Sequence, residues 1–228
     1  MTMGLIILGI FAIALFFEFG RKAFEGLRLS TWGAFLVILA FAIGIIVPVI
    51  PIAEIYGMSV GGFIMPMIAM FALLYVVIRA KNVFRGFAAM LAVIAVTTVL
   101  LLVMPIDGMG WQILTSFVIG IIAGGAAYLV TMDRAASVFA LTGGVAFGDL
   151  IYSLIDRFAM NGTPFTLGSS TVYNALFVGV FVALAIAQTA IYVAQSGRGK
   201  TTKHASNFEA SQDESFDDDD DGFDDELF

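Results

Sequence analysis

The sequence predicts an all-α integral membrane protein of about seven transmembrane helices with an acidic tail, and three observations carry that expectation. Hydrophobic residues make up 60% of the 228 positions and charged residues only 13%, with a mean hydropathy of +0.99. That leaves too little polar surface to cover a soluble domain of this size. The apolar stretches are continuous rather than alternating, and each is long enough for the roughly 20-residue helix that crosses a ~30 Å hydrocarbon layer. Finally, every Lys and Arg except Arg157 falls in alternate gaps between those stretches: Arg21, Lys22 and Arg28, then Arg79, Lys81 and Arg85, then Arg134, then Arg198, Lys200 and Lys203. Positive charge is retained on the cytoplasmic side during insertion. The amino terminus is therefore expected outside and the carboxyl terminus in the cytoplasm, with the chain in the cell membrane.

The expected spans are residues 3–19, 33–49, 60–78, 87–104, 113–131, 136–155 and 172–193. No basic residue precedes the first and no small-residue cleavage site follows it, so it reads as a retained helix rather than a signal peptide. Seven crossings place the two termini on opposite sides, as the charge pattern independently requires. The third span opens on Gly61-Gly62-Phe-Ile-Met-Pro66, and the fourth ends at the turn Met104-Pro105-Ile-Asp107-Gly108-Met-Gly110. The fifth carries Gly120, Gly124, Gly125 and Ala127, and the sixth Gly143, Gly144, Ala146 and Gly148. Small residues at such spacing let helix backbones approach closely, either within one bundle or across a homo-oligomer face. Between the sixth and seventh spans, Thr163-Pro-Phe-Thr-Leu-Gly168-Ser-Ser170 has the composition of a re-entrant stretch. Non-helical backbone is tolerated at that depth only where it lines protein or water.

Residues 1–194 form the expected membrane domain and residues 195–228 the tail. Asp and Glu dominate from Glu209 onward, including the unbroken run Asp217–Asp221, with Phe208, Phe216, Phe223 and Phe228 spaced through the acid. Such a segment buries too little apolar surface to offset its ordering entropy and is expected to be disordered. The interspersed aromatics suit a segment that folds against a basic cytoplasmic partner; a purely solvating tail fits the composition equally.

Candidate functional residues gather on the outer side. Asp149 lies within the sixth span, where a carboxylate costs about 2.5–3.5 kcal/mol on insertion scales, so a functional role is the default expectation. Asp156 follows two turns later on the same face. Asn174 enters the seventh span at a matching depth, and Gly61, Gly62 and Asp107 belong to the other outer gaps. Together these predict an outward-facing site for a solute or cation. The chain has no cysteine and one histidine, His204 in the tail, which excludes disulfides, thiolate chemistry and a buried histidine metal centre. No nucleotide loop, dinucleotide fingerprint or metal-ligand spacing is present, and no cofactor is expected. An acidic soluble segment argues against nucleic-acid binding.

Four segments also carry a resemblance. In order, Gly61-Gly62-Phe-Ile-Met-Pro66, Pro105-Ile-Asp-Gly108-Met-Gly110, Gly143 through Asp149-Leu150, and Gly168 through Tyr173-Asn174-Ala175 resemble motifs of domain of unknown function 1614, an uncharacterised family of prokaryotic polytopic membrane proteins. The resemblance spans about residues 48–190. It implies a second aspartate where this chain has Asn174. Ala146-Phe-Gly148-Asp149 is also similar to the Gly-x-Gly-Asp of intramembrane aspartyl proteases, with Ala in place of the first Gly. Two carboxylates sharing a proton are needed for that chemistry, and Asn174 removes one of them. Three functions thus remain open: transport or ligand binding around Asp149, a non-enzymatic scaffold recruiting a partner through the tail, and an intramembrane hydrolase using Asp149 with Asp156 or Asp107.

Overall fold

The computed structural model describes residues 31–53, 56–104, 108–160 and 165–213, with four isolated positions before residue 14. Its elements are helix α1 (Thr31–Ile46), strands β1 (Ile50–Ala53) and β2 (Tyr56–Met58), a π-helical turn Val60–Ile64 running into α2 (Met65–Arg79), α3 (Val83–Val103), α4 (Met109–Thr131), and α5 (Arg134–Ile155). A second π-helical turn (Asp156–Met160), strand β3 (Phe165–Leu167) and α6 (Ser170–Asp213) complete the order. Apart from those four positions, the expected first span 3–19 lies outside the described residues, as do Asp107 and tail residues 214–228.

Five helical segments are long and apolar enough to cross a membrane: Val60–Arg79, Val83–Val103, Met109–Thr131, Arg134–Phe158 and Ser170–Ala194. Each matches an expected span to within a few residues. The expected span 33–49 becomes the 16-residue α1, because Pro48 biases the residue before it away from the helical region and the chain turns into β1. At the other end, α6 continues as helix to Asp213, past the expected boundary at 194. The chain divides into two units, residues 1–187 and 188–228; in the second, the described residues 188–213 are all helical.

The helices of the first unit are apolar on both faces. On α2, Met70, Leu73 and Val77 are buried while Ile68, Phe71, Tyr75 and Ile78 are exposed, two stripes each at helical spacing. An exposed apolar stripe is unfavourable in water and is what a lipid-facing surface requires. Arg79 closes α2 and lies over the Tyr75 ring at 4.8 Å, the arrangement of an interfacial anchor.

Helix α5 is central. Its membrane window is 67% buried against 39% for each of the other four. Glycine makes this possible by letting larger side chains of its neighbours reach its backbone. A Cβ at Gly143 would lie 2.6 Å from the sulfur of Met90, one at Gly144 2.5 Å from Val93, and one at Gly148 2.7 Å from Thr97. The order Met90, Val93, Thr97 matches Gly143, Gly144, Gly148, so α3 and α5 run parallel, as expected of helices two crossings apart. The same logic joins α4 to α6. A Cβ at Gly120 would meet Val178 at 2.6 Å, and one at Gly124 the Gly179 carbonyl at 2.4 Å. The Gly120/Gly124 spacing read from the sequence is thus a contact inside the bundle. Ser116 Oγ donates to the Thr171 carbonyl at 3.0 Å beside it.

A small sheet ties two connections together. Strands β1 and β2 form an antiparallel hairpin, and β3 adds to β2 in parallel, pairing Tyr56 with Phe165 and Met58 with Leu167. The connection before α2 and the connection before α6, about a hundred residues apart in sequence, thereby become one structure.

Candidate functional site

The site is built where those two connections cross. Ser59 follows β2 in extended conformation; its side chain accepts a hydrogen bond from Gly62 N at 3.2 Å, capping the π-helical turn. Its own amide donates to the Leu167 carbonyl at 2.9 Å, continuing the β2–β3 pairing by one residue. Immediately afterwards Gly168 takes a left-handed backbone, φ +76°, a conformation that carries no penalty only in glycine. It lies back to back with Gly62. A Cβ on Gly62 would fall 2.1 Å from the Gly168 carbonyl oxygen, and one on Gly168 2.4 Å from the Gly62 carbonyl carbon. Both positions therefore need glycine for space, and Gly168 needs it for its dihedral as well.

Asp149 holds this crossing from behind. The residue is 3% exposed, and its Oδ2 accepts a hydrogen bond from Gly168 N at 2.7 Å. The cost of burying a carboxyl group is met by a backbone donor that would otherwise be stranded at the bend. Within residues 165–170, Leu167 and Gly168 are buried. A neighbouring helix adds a polar group to the same end of α5: Thr98 Oγ1 donates to the Gly148 carbonyl at 3.1 Å. Ser153 of α5 itself is also buried.

A recess of about 290 Å³ opens beside the crossing, lined by Val49, Ser59, Gly61, Gly62, Thr166, Gly168, Ser169, Ser170, Tyr173 and Asn174. Three of the residues singled out from sequence, Gly61, Gly62 and Asn174, meet there. Asp149 does not line the recess; it sits one hydrogen bond behind it, bonded to Gly168 rather than opposite Asn174 as the depth argument implied. Asp156 opens the π-helical turn Asp156–Met160 beyond α5 and is not part of the lining. Sequence reasoning left Ser59, Thr166, Ser169, Ser170 and Tyr173 out of the site. The signal for Ser169 and Ser170 was the Gly-Ser-Ser following an expected re-entrant stretch. For Thr166 there was none, because its position depends on β3 pairing with a hairpin that the hydropathy pattern does not reveal.

Aromatic packing fixes the wall on the α1 side. Tyr173 stacks with Phe177 at 4.7 Å and Phe41 at 6.5 Å between ring centroids, and its hydroxyl donates to the Phe41 carbonyl at 3.5 Å. Among the described residues, no three His, Cys, Asp or Glu side chains gather closely enough to hold a metal ion. Compared with protein-family models, curated proteins and solved structures, the chain matches none. The resemblance to domain of unknown function 1614 therefore rests on the four sequence motifs alone.

Proposed function

We propose that this protein binds a small solute or cation in the recess beside the Gly62–Gly168 crossing, for transport or for sensing, with Asp149 holding the re-entrant stretch in place. The single observation that carries the reading is the convergence of Ser59, Gly61 and Gly62 with Gly168, Ser169 and Asn174 around one recess, anchored by a buried carboxylate. Interrupted helix starts that meet at a polar cavity are the arrangement used by many membrane transporters. Burying a carboxylate merely to tie down a loop is costly in a membrane, which supports a functional reason for the loop's position.

The charge pattern supports an orientation in which this end of the bundle faces outward. Arg79, Lys81, Arg85 and Arg134 stand at the opposite helix ends, on the cytoplasmic side. A seven-crossing chain with an external amino terminus and a cytoplasmic acidic tail completes the proposed topology. Replacement of Asp149 by Ala is expected to lower solute binding or flux by at least tenfold while deletion of residues 209–228 leaves it intact. The reverse result, in which the tail is essential and Asp149 dispensable, would establish the scaffold reading instead.

A further inference from the structure

Resting on that reading, we infer that the recess takes an uncharged polyhydroxylated group of about sugar size, rather than an ion. The lining itself makes the case. Of its ten residues, Ser59, Thr166, Ser169 and Ser170 carry hydroxyls and Asn174 an amide, and none carries a charge; the Tyr173 hydroxyl is directed to the Phe41 carbonyl instead. Hydroxyl and amide groups both donate and accept, so they pair with a ligand that presents both roles on every polar atom. A sugar or polyol does so; a metal cation only accepts lone pairs, and a carboxylate only accepts hydrogens.

Size points the same way. Pockets for small organic ligands begin at roughly 300 Å³, and this recess holds about 290 Å³. A bare cation bonded to oxygens about 2.3–2.6 Å away would touch one wall of that space and leave the rest to water. No carboxylate in the lining compensates the loss of its hydration. An anion fares no better, because the lining holds no Lys or Arg to neutralise it. Apolar surface is supplied by Val49 and by Tyr173, whose hydroxyl is directed to Phe41. Those two residues suit the C–H faces that a polyol presents between its hydroxyls.

The same chemistry occurs in a free sugar and in the headgroup of a neutral glycolipid. The test uses the full chain in lipid nanodiscs and three compounds that share one ring: methyl glucoside (uncharged), glucosamine (cationic) and glucose 6-phosphate (anionic). Equilibrium dialysis is expected to show saturable binding of methyl glucoside at concentrations at least tenfold below those for either charged analogue. Asn174→Leu should weaken that binding tenfold or more, and Asn174→Gln should restore most of it. Ser170→Ala provides a second variant at an exposed position where folding is not at risk, and should weaken binding several-fold. Nanodiscs containing a glucosyl diacylglycerol distinguish the sources: displacement of methyl glucoside by that lipid, and not by phosphatidylglycerol, identifies the headgroup as occupant, and no displacement identifies the free sugar. Equal or tighter binding of a charged analogue, lost in Asn174→Leu, overturns the inference while leaving the recess as a binding site. Absence of binding by all three compounds overturns both.

Discussion

Gly168 and Asp149 show how a single residue pair fixes the local architecture. With φ at +76° and its Cβ position 2.4 Å from the Gly62 backbone, Gly168 has no tolerated substitute. Gly168→Ala should cost about 1–2 kcal/mol for the left-handed backbone alone, with the displacement of Gly62 added. A fall in thermal midpoint and loss of the recess are expected; unaltered stability would show that the two connections do not cross as described. Asp149→Ala strands a buried amide and should cost about 1–3 kcal/mol. Hydrogen exchange checks it directly: amides in residues 165–169 are expected to lose protection in the variant and keep it in the native chain. Thr97 offers the opposite test. It is fully buried and its Oγ1 has no hydrogen-bond partner among the described residues, so Thr97→Val removes an unsatisfied group at nearly constant shape. Stability should be unchanged or raised by up to about 1 kcal/mol, and a marked loss would reveal a partner for that hydroxyl.

Among the elements, glycine placement on α5 decides which helices pack together. Met70 and Met90 both reach Gly143, Val93 reaches Gly144 and Thr97 reaches Gly148, so α5 accepts α2 and α3 along one continuous glycine face. Gly144→Leu is therefore expected to destabilise the bundle strongly, because Val93 belongs to the rigid interior of α3. Gly125→Leu, where no described residue of another helix lies within 4 Å of the added Cβ, should be tolerated. Comparable thermal midpoints for the two variants would contradict this packing. These helices are legible in the sequence because hydropathy and spacing depend on local residues: five expected spans coincide with apolar helices, and Gly120, Gly124, Gly143, Gly144 and Gly148 pack closely, whereas Gly125 does not. The three-stranded sheet was not legible. Its strands are three or four residues long, and β3 pairs with β2 across about a hundred intervening residues, a relation that no local pattern encodes. The same non-local pairing explains why the partner of Asp149 is Gly168 and not Asn174, as depth along the two helices implied. Depth along two helices can be counted from sequence, but the bend that inserts Gly168 between them cannot.

Across the whole molecule, apolar helix surfaces and alternating charge describe a membrane protein whose recess lies at the helix ends away from its basic anchors. The absence of cysteine allows any single position to be probed by a thiol reagent without background. The most direct test is the reaction of Asn174→Cys, in intact cells, with a membrane-impermeant maleimide added from outside. The account predicts labelling of that residue from the external side, slowed by an occupant of the recess, while Lys81→Cys at the opposite helix ends stays unlabelled until the cells are permeabilised. Labelling of residue 81 from outside with residue 174 protected would contradict it.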